Sequence, residues 1–327
     1  MTRLNMKRLI ALGLLVLPFA ACTTPAPGAA QSSSPARAVP TEDKFATNAG
    51  DNVKIHYVAS GPTSAPLVVM IHGFPDFSRS WAELTPVLNT NLRAVAVDTR
   101  GYNLSDQPVG VANYAMPKLV EDIVAVIKAE GRTKATVIGH DWGAAIAWQF
   151  AFAHPEMLDR LVIMSVPHPT AFARELATNP QQQQNSQYAR NFQREGSETS
   201  LTAEGLANWV RDPAEKALYV EAFRRSSFAA MMNYYRANYP SGTNAPPANA
   251  PPPTNPTLNV PLLVIHGMRD TALLASGHSG TWNYVSKDTT ILMVPDAAHF
   301  VQHDAAPLVN TTIRNWLDAH PVAPAAR

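Results

Sequence analysis

Gly139-His140-Asp141-Trp142-Gly143-Ala144 decides how this sequence folds. It follows the apolar run Ala135-Thr136-Val137-Ile138 and precedes a helical pattern over residues 144–153. A residue set between glycines, where a buried strand turns sharply into a helix, is held clear of the sheet with its side chain free to react. The glycines remove side chains that would crowd it. The residue held here is Asp141, and most of the chemistry follows from a carboxylate standing at that point.

Outward from this turn, strands and helices alternate. Residues 53–59 alternate in polarity as a strand does, after a turn at residues 48–52. Leu67-Val68-Val69-Met70-Ile71 and Ala94-Val95-Ala96-Val97 are continuous apolar runs, the mark of strands buried on both faces. Residues 81–88 predict a helix. Residues 118–130 predict another, with Leu119, Ile123, Val126 and Ile127 on one face and Gly131 as its stop. Further strands are expected over residues 161–165, 262–266 and 290–294, and a last helix over 308–319 buries Val309, Ile313, Trp316 and Leu317. The alternation predicts an α/β fold, a mostly parallel sheet flanked by helices. Residues 167–239 break the pattern: they are Gln-rich, aromatic and helical in character, with Leu206, Trp209 and Val210 as an apolar stripe. Residues 241–257 are Pro, Ala and Asn, a linker or surface loop. The expected division is a core domain in two parts, 41–166 and 258–320, interrupted by a helical cap and Pro-rich linker at 167–257.

Arg3, Lys7 and Arg8 precede an apolar run over residues 9–21 that is too short to span a bilayer comfortably. Residues 1–22 therefore read as a secretory signal. It ends in Phe19-Ala20-Ala21-Cys22, and Cys22 is the only cysteine of the 327 residues. The ending resembles a bacterial lipobox, which implies an exported, periplasmic protein anchored by a lipid on Cys22. Phe19 stands where such signals usually carry Leu, so plain cleavage of the signal is the alternative. Residues 23–40, rich in Ala, Pro, Ser, Thr and Gly, are expected to be a disordered tether. Either way the folded part contains no disulfide, and its stability comes from packing.

Hydrophobic residues make up 46% of the chain, enough for a sizeable core, and the formal net charge of +1 comes without any basic block or acidic tail. Nothing points to a nucleic acid partner. Outside His299, the histidines, among them His140, His154, His168, His266 and His303, show no His-x-x-x-His spacing, and no Gly-x-Gly-x-x-Gly or Walker pattern occurs, so neither a metal nor a cofactor is expected.

An open parallel sheet presents the C-terminal ends of its strands to the ligand. Asp141, Asp270 in Gly267-Met268-Arg269-Asp270, and His299 in Asp296-Ala297-Ala298-His299-Phe300 all lie just past such ends. Their order is nucleophile, acid, histidine, and an imidazole that acts as a base needs a carboxylate to fix its tautomer. Asp296 is the rival acid, though close in sequence to His299. Asp98 and Arg100 read as a hydrogen-bonded structural turn.

With His72-Gly73-Phe74-Pro75 and Asp98-Thr99-Arg100-Gly101-Tyr102, these segments resemble the α/β-hydrolase superfamily and, within it, the epoxide hydrolases, over about residues 45–319. Esterases of the superfamily carry Ser at the elbow. A carboxylate attacking an ester carbonyl would give an anhydride, whereas attack on an sp3 carbon gives an ordinary ester that activated water can hydrolyse. The resemblance implies a small apolar epoxide as substrate, Asp141 as nucleophile, and His299 oriented by Asp270 as base. It further implies the backbone N–H groups of Phe74 and Trp142 as oxyanion donors, with His72 shaping their loop. Tyr235, in Asn233-Tyr234-Tyr235-Arg236, and Tyr188 would donate to the epoxide oxygen, with Tyr234 the alternative to Tyr235. Two other functions stay open. A haloalkane dehalogenase would use the same triad and hold its halide by N–H groups such as that of the Trp142 side chain, though many have Asn where this chain has Phe74. A non-catalytic binding member of the fold is the other.

Overall fold

The computed structural model describes residues 40–240 and 255–322. The expected signal with Cys22, the tether apart from Pro40, and residues 241–254 of the expected linker lie outside the described residues.

Eight strands, β1 (Thr41–Thr47), β2 (Lys54–Ser60), β3 (Leu67–Ile71), β4 (Arg93–Val97), β5 (Ala135–His140), β6 (Leu158–Met164), β7 (Leu262–Gly267) and β8 (Thr289–Val294), form one sheet. Their order is β1-β2-β4-β3-β5-β6-β7-β8. The pairs β1/β2 and β2/β4 are antiparallel and all others parallel. Helices α1 (Thr85–Leu88), α2 (Met116–Ala129) and α3 (Trp142–Ala153) connect the first strands. Among the described residues six more lie between β6 and β7: α4 (Pro169–Thr178), α5 (Pro180–Asn185), α6 (Gln187–Phe192), α7 (Ala203–Leu206), α8 (Pro213–Arg225) and α9 (Phe228–Asn238). After β8 come α10 (Val301–Asp304) and α11 (Ala306–Ala319).

The continuous apolar runs conceal a period of two. In β3, Val69 and Ile71 join the core that contains α2, α3 and part of the cap, while Val68 and Met70 join the core closed by α11. Each face of the sheet thus has its own apolar layer, and Leu119, Ile123, Val126 and Ile127 of α2 supply one of them as the helical spacing predicts. Val309, Ile313, Trp316 and Leu317 of α11 close the other.

Three local expectations change. The helix expected over residues 81–88 is a 3-10 turn at Ser78–Trp81 followed by the single turn α1. Pro86 explains the break, because it has no N–H to donate and its ring crowds the carbonyl four residues before it, so it is accepted only in a first turn. The strand expected over residues 161–165 is shifted to Leu158–Met164, since Ser165 has a φ of 68° and leaves the extended conformation. Strand β1 has no counterpart in the sequence reading: only Ala46 is buried in it, and it is held as an edge strand by pairing to β2.

Candidate active site

Strand β5 stops at His140, and Asp141 caps α3 with φ 51° and ψ −122°. A side chain other than glycine rarely occupies that region, and it persists only where the surroundings fix it. Here α3 begins almost in contact with β3. A Cβ on Gly143 would lie 2.0 Å from the Ile71 carbonyl oxygen, and one on Gly139 would lie 2.4 Å from the Gly143 carbonyl oxygen. The glycines let helix and strand approach, and that approach sets the direction of Asp141.

The two carboxylate oxygens of Asp141 have different partners. Oδ1 accepts from the Phe74 backbone N–H at 2.7 Å. Oδ2 faces His299 Nε2 at 3.3 Å. On its other side His299 Nδ1 lies 2.8 Å from Asp270 Oδ2. Asp270 is fixed in turn by N–H groups of Ala272 and Leu273, which donate to its Oδ1 at 2.7 and 3.0 Å. The rival Asp296 points to the surface, paired with Arg269. Burial alone would lower the proton affinity of His299, but the charges of Asp270 and Asp141 outweigh it and push the imidazole up to about 10. Burial would raise both carboxylates; the hydrogen bonds and charge of His299 hold them below their ordinary range instead. The resting triad is carboxylate, imidazolium, carboxylate.

Two residues that the sequence reading passed over position His299 through its backbone. His140 Nε2 and Ser165 Oγ donate to its carbonyl oxygen at 2.8 and 2.9 Å. Burial, followed by the neighbouring charge of His299, lowers His140 to about 4, so it is a neutral donor. The available signal was position: both stand at the C-terminal ends of strands, where the reacting groups are.

Of the three cap tyrosines in question, two reach the cavity. Tyr188 of α6 and Tyr235 of α9 line the same cavity of about 330 Å³ as Asp141. Their rings meet edge to face with centroids 6.1 Å apart. Burial first, and then nearby groups that include the Asp141 carboxylate, raise both hydroxyls well above the ordinary range. The indole N–H of Trp142 approaches the Tyr235 hydroxyl and works the other way. Tyr234 turns aside, and its hydroxyl donates to the Arg100 carbonyl at 2.8 Å. The Trp142 backbone N–H belongs to the first turn of α3, where the helix offers no acceptor.

The remaining polar residues are structural. Asp98 accepts from Ser78 N at 2.8 Å and Asn103 Nδ2 at 2.7 Å, and faces His56 Nδ1 at 2.7 Å. Arg100 spans Asp122, at 2.6 Å to each oxygen, and Asp51. His72 Nε2 accepts from Thr99 N at 3.0 Å while Nδ1 donates to the Gly73 carbonyl, which ties the Phe74 loop to the turn after β4. Trp209, the tryptophan of the cap, stacks on Phe300 with centroids 4.3 Å apart and lines a different, polar cleft. Among the described residues no group of three or more His, Cys, Asp or Glu is arranged to hold a metal ion.

Comparison with known proteins bears on the fold and the family. Residues 66–306 match a family model described as the alpha/beta hydrolase fold. The chain is 33% identical over 286 residues to Epoxide hydrolase 1 of Caenorhabditis elegans, covering 82% of this chain and 69% of that protein. It is 32% identical to the AB hydrolase superfamily protein YfhM of Bacillus subtilis (strain 168), covering 82% and 95%. A solved structure described under novel epoxide hydrolases of the alpha/beta hydrolases superfamily in metagenomes from hot environments superposes with a TM-score of 0.77 at 33% identity, covering 84% of this chain and 98% of that one.

Proposed function

We propose, from the premise that this chain belongs to the epoxide hydrolases of the α/β-hydrolase superfamily, that it opens epoxides to vicinal diols through an ester formed on Asp141. The observation that carries the reading is the unequal setting of the Asp141 oxygens. Oδ1 is engaged by the Phe74 N–H, Oδ2 stands beside the imidazole, and Asp141 lines the cavity. Oδ2 attacks an epoxide carbon, the carbon–oxygen bond breaks, and the electron pair goes to the epoxide oxygen. That oxygen takes a proton from Tyr235 while Tyr188 donates a second hydrogen bond.

The ester is neutral, so one of the two charges that held the proton on His299 disappears. The imidazolium gives its proton back to the tyrosinate, and neutral His299 then removes a proton from water as it attacks Cγ of Asp141. Oδ1 becomes the oxyanion, with the Phe74 N–H already in place and the Trp142 N–H as the second donor. Collapse expels the diol, protonated as it leaves, and restores the carboxylate beside imidazolium His299. Halide displacement is the weaker reading: the polar groups that face Asp141 from the cap are phenolic hydroxyls, and Trp209 lies outside this cavity. A single turnover in heavy-oxygen water tests the route. The label enters the Asp141 carboxylate, and the first diol carries only protein oxygen at the attacked carbon; label appearing directly in that diol sinks the covalent mechanism.

The signal pattern of residues 1–22 supports export, with Cys22 as the lipid attachment point. Intact mass of the mature protein tests this: an N-terminal diacylglyceryl-Cys22 is expected, and an unmodified N-terminus elsewhere overturns it.

A further inference from the structure

The cavity does not end at the reacting groups but runs on along α3. Trp142, Ala145, Trp148 and Gln149 line it at the spacing of one helical face, and Phe172 and Leu176 of α4 add a second apolar stripe. Gln149 comes eight residues after Asp141, which at ~1.5 Å per residue sets it roughly 12 Å farther along the helix axis. The volume of about 330 Å³ is roughly twice the ~150 Å³ void that admits benzene. An aromatic ring joined to an oxirane by a short linker fits that space.

Polar groups away from the tyrosines are few, and one of them is already engaged. Asn238 accepts from Met116 N at 2.8 Å and donates to the carbonyls of Tyr114 and Tyr234 at 2.8 and 3.0 Å. Gln149 is different. Its side chain is half-buried, it faces the cavity, and among the described residues its amide makes no hydrogen bond. An amide in an apolar wall must be satisfied by whatever fills the cavity, and it both donates and accepts.

We propose that the substrate of the reaction set out above, a reading on which this inference rests, is an epoxide on an elongate aromatic body that ends, roughly 10 Å from the oxirane, in a hydrogen-bonding group received by Gln149. The amide selects a group that pairs both ways, such as a carboxamide, over an apolar group of equal size. Leaving Gln149 unpaired under a bound apolar tail is what the wrong substrate would do.

Two aryl glycidyl ethers of matched length test the assignment, one carrying a para-acetamide group and the other a para-isobutyl group. The acetamide is expected to have about tenfold higher kcat/KM in the unaltered enzyme. Gln149→Leu should invert the order, and Gln149→Glu, which still accepts from the amide N–H, should keep it. A ratio near one in the unaltered enzyme, or a preference that survives Gln149→Leu, overturns the proposal while the hydrolase reading stands. Diol formed from neither ether, nor from simpler aryl epoxides, overturns the hydrolase reading itself and this proposal with it.

Discussion

Asp141 and His299 form a pair whose charges are set by one another, and the alkylation proposed for Asp141 would reset His299. In the free enzyme the imidazole titrates near 10 under two carboxylates. The proposed neutral ester would remove one of them, so the base should titrate well below that value in the alkyl-enzyme. Decay of a pre-formed alkyl-enzyme, followed by rapid quench, should rise with pH and reach its plateau far below 10. A midpoint equal to that of the free-enzyme imidazole, read by NMR, would refute the coupling. His299→Gln should leave alkylation possible and slow hydrolysis on the order of 10³-fold, so that intact mass shows one substrate added to the protein. The same pairing gives stability a pH window. The raised His299 contributes fully below its ordinary value of 6.5 and is lost as pH rises through about 10. The lowered carboxylates contribute above their ordinary value of 3.8 and are lost as pH falls through their depressed values. The triad candidates stood out because Asp141, Asp270 and His299 follow the C-terminal ends of buried strands in the order nucleophile, acid, histidine. His140 and Ser165 did not, because what they hold is a backbone carbonyl, which leaves no trace in side-chain type.

At the scale of single elements, the start of α3 and the body of α9 carry the site. Gly143→Ala sets a methyl group against the Ile71 carbonyl at 2.0 Å, backbone against backbone, with no flexible side chain to give way. A loss of about 3 kcal/mol is expected, seen as a lowered thermal midpoint together with lost activity. On α9, adjacent tyrosines do separate jobs. Tyr234→Phe removes a buried hydrogen bond to the turn after β4 and should cost about 1–2 kcal/mol of stability. Tyr235→Phe should leave the thermal midpoint nearly unchanged and slow epoxide opening on the order of 100-fold. Equal effects of the two substitutions on ring opening would contradict the division. A motif that places both tyrosines in one tetrapeptide cannot assign these roles, since neighbours on a helix differ by about 100° in direction and only the packed helix fixes which one faces Asp141. The continuous apolar runs, by contrast, identified β3, β4 and β7, because a strand covered on both faces buries nearly all its side chains, and the polar Arg93 and His266 lie only near the ends of β4 and β7.

Across the whole molecule, the first strand shows what a sequence pattern leaves out. The segment Thr41–Thr47 is polar and largely exposed, and it joins the sheet through its backbone pairing and through charges supplied from elsewhere. Arg93 of β4, 1% exposed, donates to Glu42 of β1 at 2.9 Å and to buried Glu130 at 2.8 Å, and Lys44 of β1 also pairs with Glu130. Arg93→Met would leave buried Glu130 with only Lys44 and Tyr57 as partners and should destabilise by about 2–3 kcal/mol. Glu42→Gln, at a side chain half in water, should cost under about 1 kcal/mol. Chemical denaturation of the two variants checks the contrast. The placement of the cap has a broader consequence. Strands β6 and β7 are parallel neighbours in register, Leu161 beside Leu262, and such neighbours cannot be joined by a tight turn. Some crossover was required there before any reaction was. The segment that carries Tyr188, Tyr235 and part of the cavity wall is therefore an obligatory connection grown long. Its length and composition are free of the pairing that fixes strand order and the residues at the strand ends. Changes in the bridge can reshape what Tyr188 and Tyr235 meet without disturbing the sheet.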